Sequence, residues 1–279
     1  SGLYRMPGLE RAREVRVRTP FGEPSDRFMI GTLGDVGVAF LPRHGRGHRI
    51  SPSEINSRAN VHALKQLGVE FLVSIGAVGS LKPGIRPGDI VIVDQFIDRT
   101  HRRPTTFFGD GIVAHVAFAD PVCTVLSRLA IAAAQSSGAT VHERGTYVCM
   151  EGPQFSTRAE SNLHRGWNAD LIGMTQAPEA KLAREAEICF AAVALVTDYD
   201  CWNTEAGDLE IAEILRILEE STARAQAIVG AVAGRLPELR ACPCASALGT
   251  AILTDRAAIP AATRRRLEPI VARHLGGKA

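Results

Sequence analysis

Residues 188–196 form an unbroken apolar run, Ile-Cys-Phe-Ala-Ala-Val-Ala-Leu-Val, which stops at Thr197-Asp198-Tyr199-Asp200. A run with no polar position cannot lie on a surface. Its length and its β-branched and aromatic members read as one strand covered on both faces. Such a strand needs helices above and below it, which is the layering of an α/β protein. The two acids at its end are two residues apart, so they point to the same side if the strand continues. Open α/β sheets bind ligands beyond the carboxyl ends of their strands, where these acids stand. A carboxylate accepts from an aminopurine N–H, and a protonated carboxyl donates to a ring nitrogen. A solvated acidic turn explains Asp-x-Asp equally well when it is taken alone.

The flanking pattern supports the layered reading. Strands are expected at 15–19, 28–33, 36–41, 71–75, 89–93, 146–150 and 171–174, with helices at 121–136, 156–166 and 180–187. Residues 53–67 read as a helix with Ser53 as N-cap, because Ile55, Ala59, Ala63 and Leu67 recur every four positions before Gly68. Residues 208–236 read as one long amphipathic helix and 260–275 as a last one. Alternating strands and helices predict a single α/β domain over residues 1–279, with a mixed twisted β-sheet surrounded by helices. Residues 1–240 form its core and 241–279 a helical extension.

Thirty-two basic residues face 30 acidic ones, and no basic stripe interleaves with aromatics, so nucleic acid is not an expected partner. No apolar segment reaches membrane-spanning length and no secretory signal is visible, so the expected location is cytoplasmic, away from any membrane. The six cysteines, at 123, 149, 189, 201, 242 and 244, lie mostly in apolar runs, as free thiols do in a reducing compartment. Cys242-Pro243-Cys244 has no second Cys/His pair nearby in sequence, so no metal is expected.

Four further strand ends carry polar chemistry. Pro42-Arg43-His44-Gly45 pairs cations with glycine, which suits an oxyanion or, equally, a basic hairpin. Ser74-Ile75-Gly76-Ala77-Val78-Gly79-Ser80 reads as a small-residue turn that exposes backbone N–H groups, or as a plain tight corner. In Met150-Glu151-Gly152-Pro153-Gln154-Phe155-Ser156-Thr157-Arg158-Ala159-Glu160, Glu151 suits a sugar hydroxyl and Phe155 the face of a heterocycle. The polar residues after Phe155 also fit a helix start capped by Ser156. Gly173-Met174-Thr175 offers a soft apolar filler beside a hydroxyl.

In this order the motifs, with Thr19-Pro20-Phe21-Gly22-Glu23-Pro24 and Gly88-Asp89-Ile90-Val91-Ile92-Val93-Asp94, resemble the trimeric purine nucleoside phosphorylases over about residues 1 to 235. The resemblance is strongest to the S-methyl-5′-thioadenosine phosphorylase branch. Each motif alone is weak; the ordered set is specific. The resemblance implies a distorted-barrel nucleoside phosphorylase fold and a homotrimer, with hexamers left open. It implies that Arg43, His44, Gly76, Ala77, Thr175 and Ser1 hold phosphate, and that Phe155 and Met174 line the ribose and purine. Asp198 then faces N7 as the catalytic acid and Asp200 the 6-amino group. Ile211 and Ile214 would line an apolar 5′-alkylthio pocket, completed by His115 from the neighbouring subunit. The family carries a strand and two glycines of a phosphate loop before the position of Ser1, so such a segment is expected to precede it. Cys242-Pro243-Cys244 resembles the Cys-x-Cys tail of heat-stable archaeal members, where the pair forms a disulfide; in a mesophile cytosol reduced thiols are expected.

The reaction implied is phosphorolysis of methylthioadenosine to adenine and 5-methylthioribose 1-phosphate, in purine and methionine salvage. Phosphate is its co-substrate and no cofactor is needed. Three alternatives are a phosphorylase for 6-oxopurines or methylthioinosine, a non-catalytic nucleoside-binding protein, and a hydrolase of related fold. The acids at 198 and 200 disfavour the first, the retained Arg43, His44, Thr175 and Asp198 the second, and the Arg-His-Gly set the third.

Overall fold

The computed structural model describes residues 6–204, 211–237 and 240–276, apart from the side chain at 213. The apolar run is strand β10 (Cys189–Asp198), buried along its length to Thr197. It lies between β4 (Phe71–Ser80), which runs parallel to it, and β5 (Ile90–Val93), which runs antiparallel. The rest of the seven-stranded mixed sheet is β6 (Gln95–Asp98), β7 (Val141–His142), β8 (Thr146–Cys149) and β9 (Leu171–Gly173). The order across it is β6-β8-β9-β4-β10-β5-β7. A separate antiparallel meander holds β1 (Glu10–Val15), β2 (Phe28–Leu33) and β3 (Val36–Phe40). The sheet curls into a half-barrel with helices around it, as expected.

The helices are α1 (Ser57–Gln66), α2 (Thr124–Gln135), α3 (Arg158–Gly166), α4 (Gln176–Glu185), α5 (Ile211–Ala233), α6 (Ala261–Arg266) and α7 (Glu268–Leu275). One face of β10 packs through Phe190, Ala192, Ala194 and Val196 into the core that includes α4. The other packs through Cys189, Ala191, Val193 and Leu195 against α2 and α5. Both faces are therefore covered, which is what the unbroken apolar run required.

Several boundaries differ from the sequence reading, each for a local reason. Residues 53–67 split into a 3₁₀ turn, Pro52–Glu54, and α1, whose cap is Asn56 accepting from Ala59 N. Helix α3 starts at Arg158, because Thr157 and Glu160 form a reciprocal capping box; Ser156 is not its cap. The meander's first strand is Glu10–Val15, upstream of 15–19, and β6 and β7 are too short to stand out in the sequence. Residues 74–80 are not a turn: β4 continues through them to Ser80.

The extension beyond residue 240 is helical at its end and enters the core. Leu267, Ile270 and Val271 join the same buried cluster as β10. Glu187, 1% exposed, anchors it by accepting from Leu248 N at 2.9 Å and pairing with Arg273 and His274. Cys242 and Cys244 also meet thiols from the core, Cys123 and Cys189, so the expectation that this pair stands alone does not survive folding.

Candidate active site

Strand β4 is the axis of a cleft of about 2130 Å³ lined by β3, β4, the ends of β9 and β10, and α5. An added Cβ at Gly76 would lie 3.9 Å from Arg43 Nη2, and one at Gly79 would lie 2.8 Å from Asp198 Oδ1. The two glycines are three residues apart on one strand, about 10 Å. Arg43 and Asp198 thus lie beside different positions of the same strand, and both line the cleft. Only a residue without Cβ lets the Asp198 carboxylate approach β4 at position 79, which explains Gly79 in the run that resembled a turn.

At the cationic end, Arg43 follows β3 and crosses to β4 and α4. Its Nη1 donates to Ser74 Oγ (3.0 Å), Thr175 Oγ1 (3.4 Å) and Glu179 Oε2 (2.8 Å), and Nη2 donates to the Ile75 carbonyl. Glu179 was not anticipated. It lies one helical turn from Thr175, a spacing that could have exposed it. Thr175 precedes α4, and its hydroxyl makes no cap bond, which leaves it to Arg43 and the cleft. The helix N-terminus behind it favours negative charge. Gln176 braces the same corner through Nε2 to Ser74 O at 2.9 Å.

His44 Nδ1 lies 2.9 Å from the Ile50 carbonyl, which can only accept, so Nδ1 carries the proton. The ring stacks on His48 at 4.3 Å. Burial first, then the neighbouring Arg43 and His48 charges, outweigh the Ile50 bond and lower its pKa to about 4. The neutral ring therefore presents Nε2 as an acceptor.

At the acidic end, β10 stops at Asp198, and Asp200 reaches the site through a 3₁₀ turn, Asp200–Trp202, rather than by strand alternation. Asp200, at φ +51°, donates its N–H to Asp198 Oδ1 at 2.8 Å. Thr197 Oγ1 donates to Asp198 Oδ2 at 2.7 Å. Trp202 Nε1 donates to Ser80 O at 2.7 Å, and Arg165 covers the Trp202 ring, so the turn is pinned to β4 and α3. Burial raises the pKa of Asp198, and the Asp200 charge adds to it. Burial also raises Asp200, beside Ser161, Ser156 and His164. Asp200 Oδ2 and Ser161 Oγ have no hydrogen-bond partner among the described residues.

Met174 and Phe155 line the cleft between these ends. Met174 Sδ would lie 2.5 Å from a Cβ at residue 152, so Gly152 leaves the space that the thioether fills. Phe155 is 51% exposed and free to cover a ring. Glu151 does not line the cleft. It accepts from Ser53 Oγ and His101 N and faces Arg103, which in turn donates to the Met174 and Glu151 carbonyls. Its role is to hold the loop, and Arg103 was missed because nothing in its sequence neighbourhood marks it.

Ile211 and Ile214, in the first turn of α5, line the far wall of the cleft. His115 does not. It is exposed on the segment bonded to Ala251, away from these residues of its own chain. Ser1 lies outside the described residues.

The chain matches the phosphorylase superfamily over residues 4–233. It is 57% identical to S-methyl-5′-thioadenosine phosphorylase of Geobacter sulfurreducens, covering 97% of this chain and 95% of that one. It is 52% identical to the enzyme of the same name from Hyperthermus butylicus, covering 91% and 93%. A crystal structure of methylthioadenosine phosphorylase from an antarctic soil metagenomic library superposes with a TM-score of 0.91 at 46% identity, covering 97% and 96%. Methylthioadenosine phosphorylase from Schistosoma mansoni in complex with adenine gives 0.79 at 38% identity, covering 82% and 87%. The chain belongs to the phosphorylase superfamily, in the family of these S-methyl-5′-thioadenosine phosphorylases.

Proposed function

We propose that this chain catalyses phosphorolysis of S-methyl-5′-thioadenosine to adenine and 5-methylthioribose 1-phosphate, in purine and methionine salvage. The observation that carries the reading is the arrangement along β4: Arg43, His44 and Thr175 at one end, Asp198 and Asp200 at the other. Phosphate binds on the Arg43 side, with Arg43 and Thr175 donating and β4 at Gly76 and Ala77 adding a backbone N–H group from the edge that does not pair with β10. His44 Nε2 accepts the hydrogen of a P–OH group. A phosphate oxygen attacks C1′ as the C1′–N9 bond breaks and its electrons pass into the purine. Asp198, whose pKa burial raises, gives a proton to N7, and neutral adenine leaves. Asp200 accepts from the 6-amino group. The negative charge of phosphate beneath C1′ stabilises the cationic sugar.

Ile211 and Ile214 offer no hydrogen bond to a 5′-hydroxyl but suit a methylthio group. The reaction balances with phosphate as co-substrate and no metal or organic cofactor. His115, exposed and outside its own cleft, is assigned to a neighbour's site, which makes the working form a homotrimer. No helix among the described residues is long and apolar enough to cross a membrane, and the proposed setting is cytoplasmic. The deciding experiment assays methylthioadenosine, adenosine and inosine side by side, with and without phosphate. Adenine release that needs phosphate and favours methylthioadenosine supports the proposal; release independent of phosphate refutes it.

A further inference from the structure

Four cysteines that are far apart in the chain meet at one point. Cys123 caps α2, Cys189 opens β10, and Cys242 and Cys244 come from the extension. Their Sγ atoms all lie within 4.8 Å of one another, and Cys189 and Cys242 are 3.3 Å apart. All four are free thiols. A buried thiol normally packs singly as a small hydrophobe, and thiols are weak hydrogen-bond partners. Packing alone does not require four of them from three segments to converge.

We propose that Cys123, Cys189, Cys242 and Cys244 bind one zinc ion as a tetrahedral tetrathiolate that fastens the extension to the sheet. A Zn–S bond of about 2.3 Å sets the edges of the tetrahedron at about 3.8 Å, within the spread seen here. Soft thiolates in a tetrahedral set select zinc over the harder divalent ions. The surroundings suit the ion. Cys123, Cys189 and Cys244 are buried in the same apolar cluster as Ile90, Ile92, Leu126 and Ile228, while half-buried Cys242 provides the way in. Leu126 N, in the first turn of α2, donates to Cys123 Sγ at 3.5 Å, and the helix N-terminus favours the negative charge of the thiolates. On binding, four S–H bonds are replaced by four S–Zn bonds and up to four protons pass to the buffer. No electron is transferred. The proposal does not depend on the reaction assigned to the cleft.

The test uses the full chain, purified under reducing conditions after growth with added ZnCl2. Elemental analysis should give about one zinc per chain. Replacement of zinc by CoCl2 should give the intense visible bands of tetrahedral thiolate-bound cobalt. The four thiols should resist a thiol reagent until a chelator is added. The Cys242→Ser/Cys244→Ser variant should hold roughly tenfold less zinc and melt lower, with kcat/KM unchanged because no cysteine touches the cleft. Wild-type analysis stands by itself if the variant fails to fold. Zinc at background with all thiols titratable overturns the site. So does a metal-free chain whose mass is lower by four hydrogens, since the cysteines would then be two disulfides.

Discussion

Arg43 and Glu179 form a part-buried ion pair, Nη1 to Oε2 at 2.8 Å, at the mouth of the cationic end of the cleft. The guanidinium is thereby aimed before any ligand arrives, with Ser74 and Thr175 completing its fork. A charge-assisted hydrogen bond contributes about 1.5–3 kcal/mol, so Arg43→Ala should raise the KM for phosphate by about 10- to 100-fold. The KM for the nucleoside should move far less. Arg43→Lys should not restore phosphate binding, because an ammonium cannot hold Glu179 and an oxyanion in one plane. Steady-state kinetics with each substrate varied in turn would show it; equal rises in both KM values would place Arg43 elsewhere.

Asp198→Asn keeps the shape of the acid but removes the transferable proton. Turnover of methylthioadenosine should fall by about 10²–10⁴-fold. An amide can also donate to a 6-oxo group, so preference should shift toward inosine-type substrates. Unchanged selectivity between adenine and hypoxanthine nucleosides would sink the assignment.

The protonation of Asp198 has a sign that can be tested. Its pKa is raised, first by burial and further by the Asp200 charge, so the acid form persists upward in pH and is lost above the raised value. The rate should therefore fall on the alkaline side. Asp200→Asn removes the neighbouring charge and should move that limb to lower pH. A pH profile of kcat/KM for both proteins measures the displacement; a limb that stays put in the variant argues against coupling.

Glu185 gives a prediction about stability rather than rate. It is 7% exposed, and burial raises its pKa from 4.5 to about 7, against the lowering effect of bonds from Phe107 N and Thr106 Oγ1. Between those values the folded chain holds a proton that the unfolded chain has lost. Stability should thus decline as pH rises through this window, by roughly 1.4 kcal/mol per pH unit, and level off above it. Glu185→Gln should flatten that part of the curve in urea denaturation. A slope unaltered by the substitution would mean that the carboxyl ionises normally.

Ile214→Ala should reduce kcat/KM for methylthioadenosine by about tenfold and that for adenosine by less, because the lost contact is to the alkylthio group. Comparing the two substrates in one variant separates pocket loss from general damage. Equal losses would move the 5′ pocket away from α5.

The sequence carried β10 plainly, because an apolar run of nine residues must be covered on both faces; its two acids became a purine-reading pair only through their place in the ordered set of motifs. Arg43 and Thr175 were legible as motifs, yet not as neighbours; only β4 and α4 bring them within hydrogen-bond reach. Residues 74–80 misled because glycine and alanine serve a turn and a crowded strand alike, and the Asp198 contact at Gly79 is long-range. Arg103 and Glu187 have no local signature at all, and Glu179 has only its one-turn spacing from Thr175. The cysteines at 123 and 189 sit in apolar context, and nothing local announces that the chain returns to them at 242.

Strand β4 touches Arg43 through the Ile75 carbonyl and Asp198 through Gly79. On the proposed mechanism, nucleophile and proton donor are thus gauged against the same stretch of extended backbone, clamped to β10 from Phe71 onward. Their separation is set by bond lengths and strand pucker, which thermal motion hardly alters. Such a site needs no hinge to bring its reactive groups to working distance. Substrate entry and product exit can be governed by other parts of the molecule, so turnover can be tuned at the rim of the cleft without disturbing the chemistry on its floor.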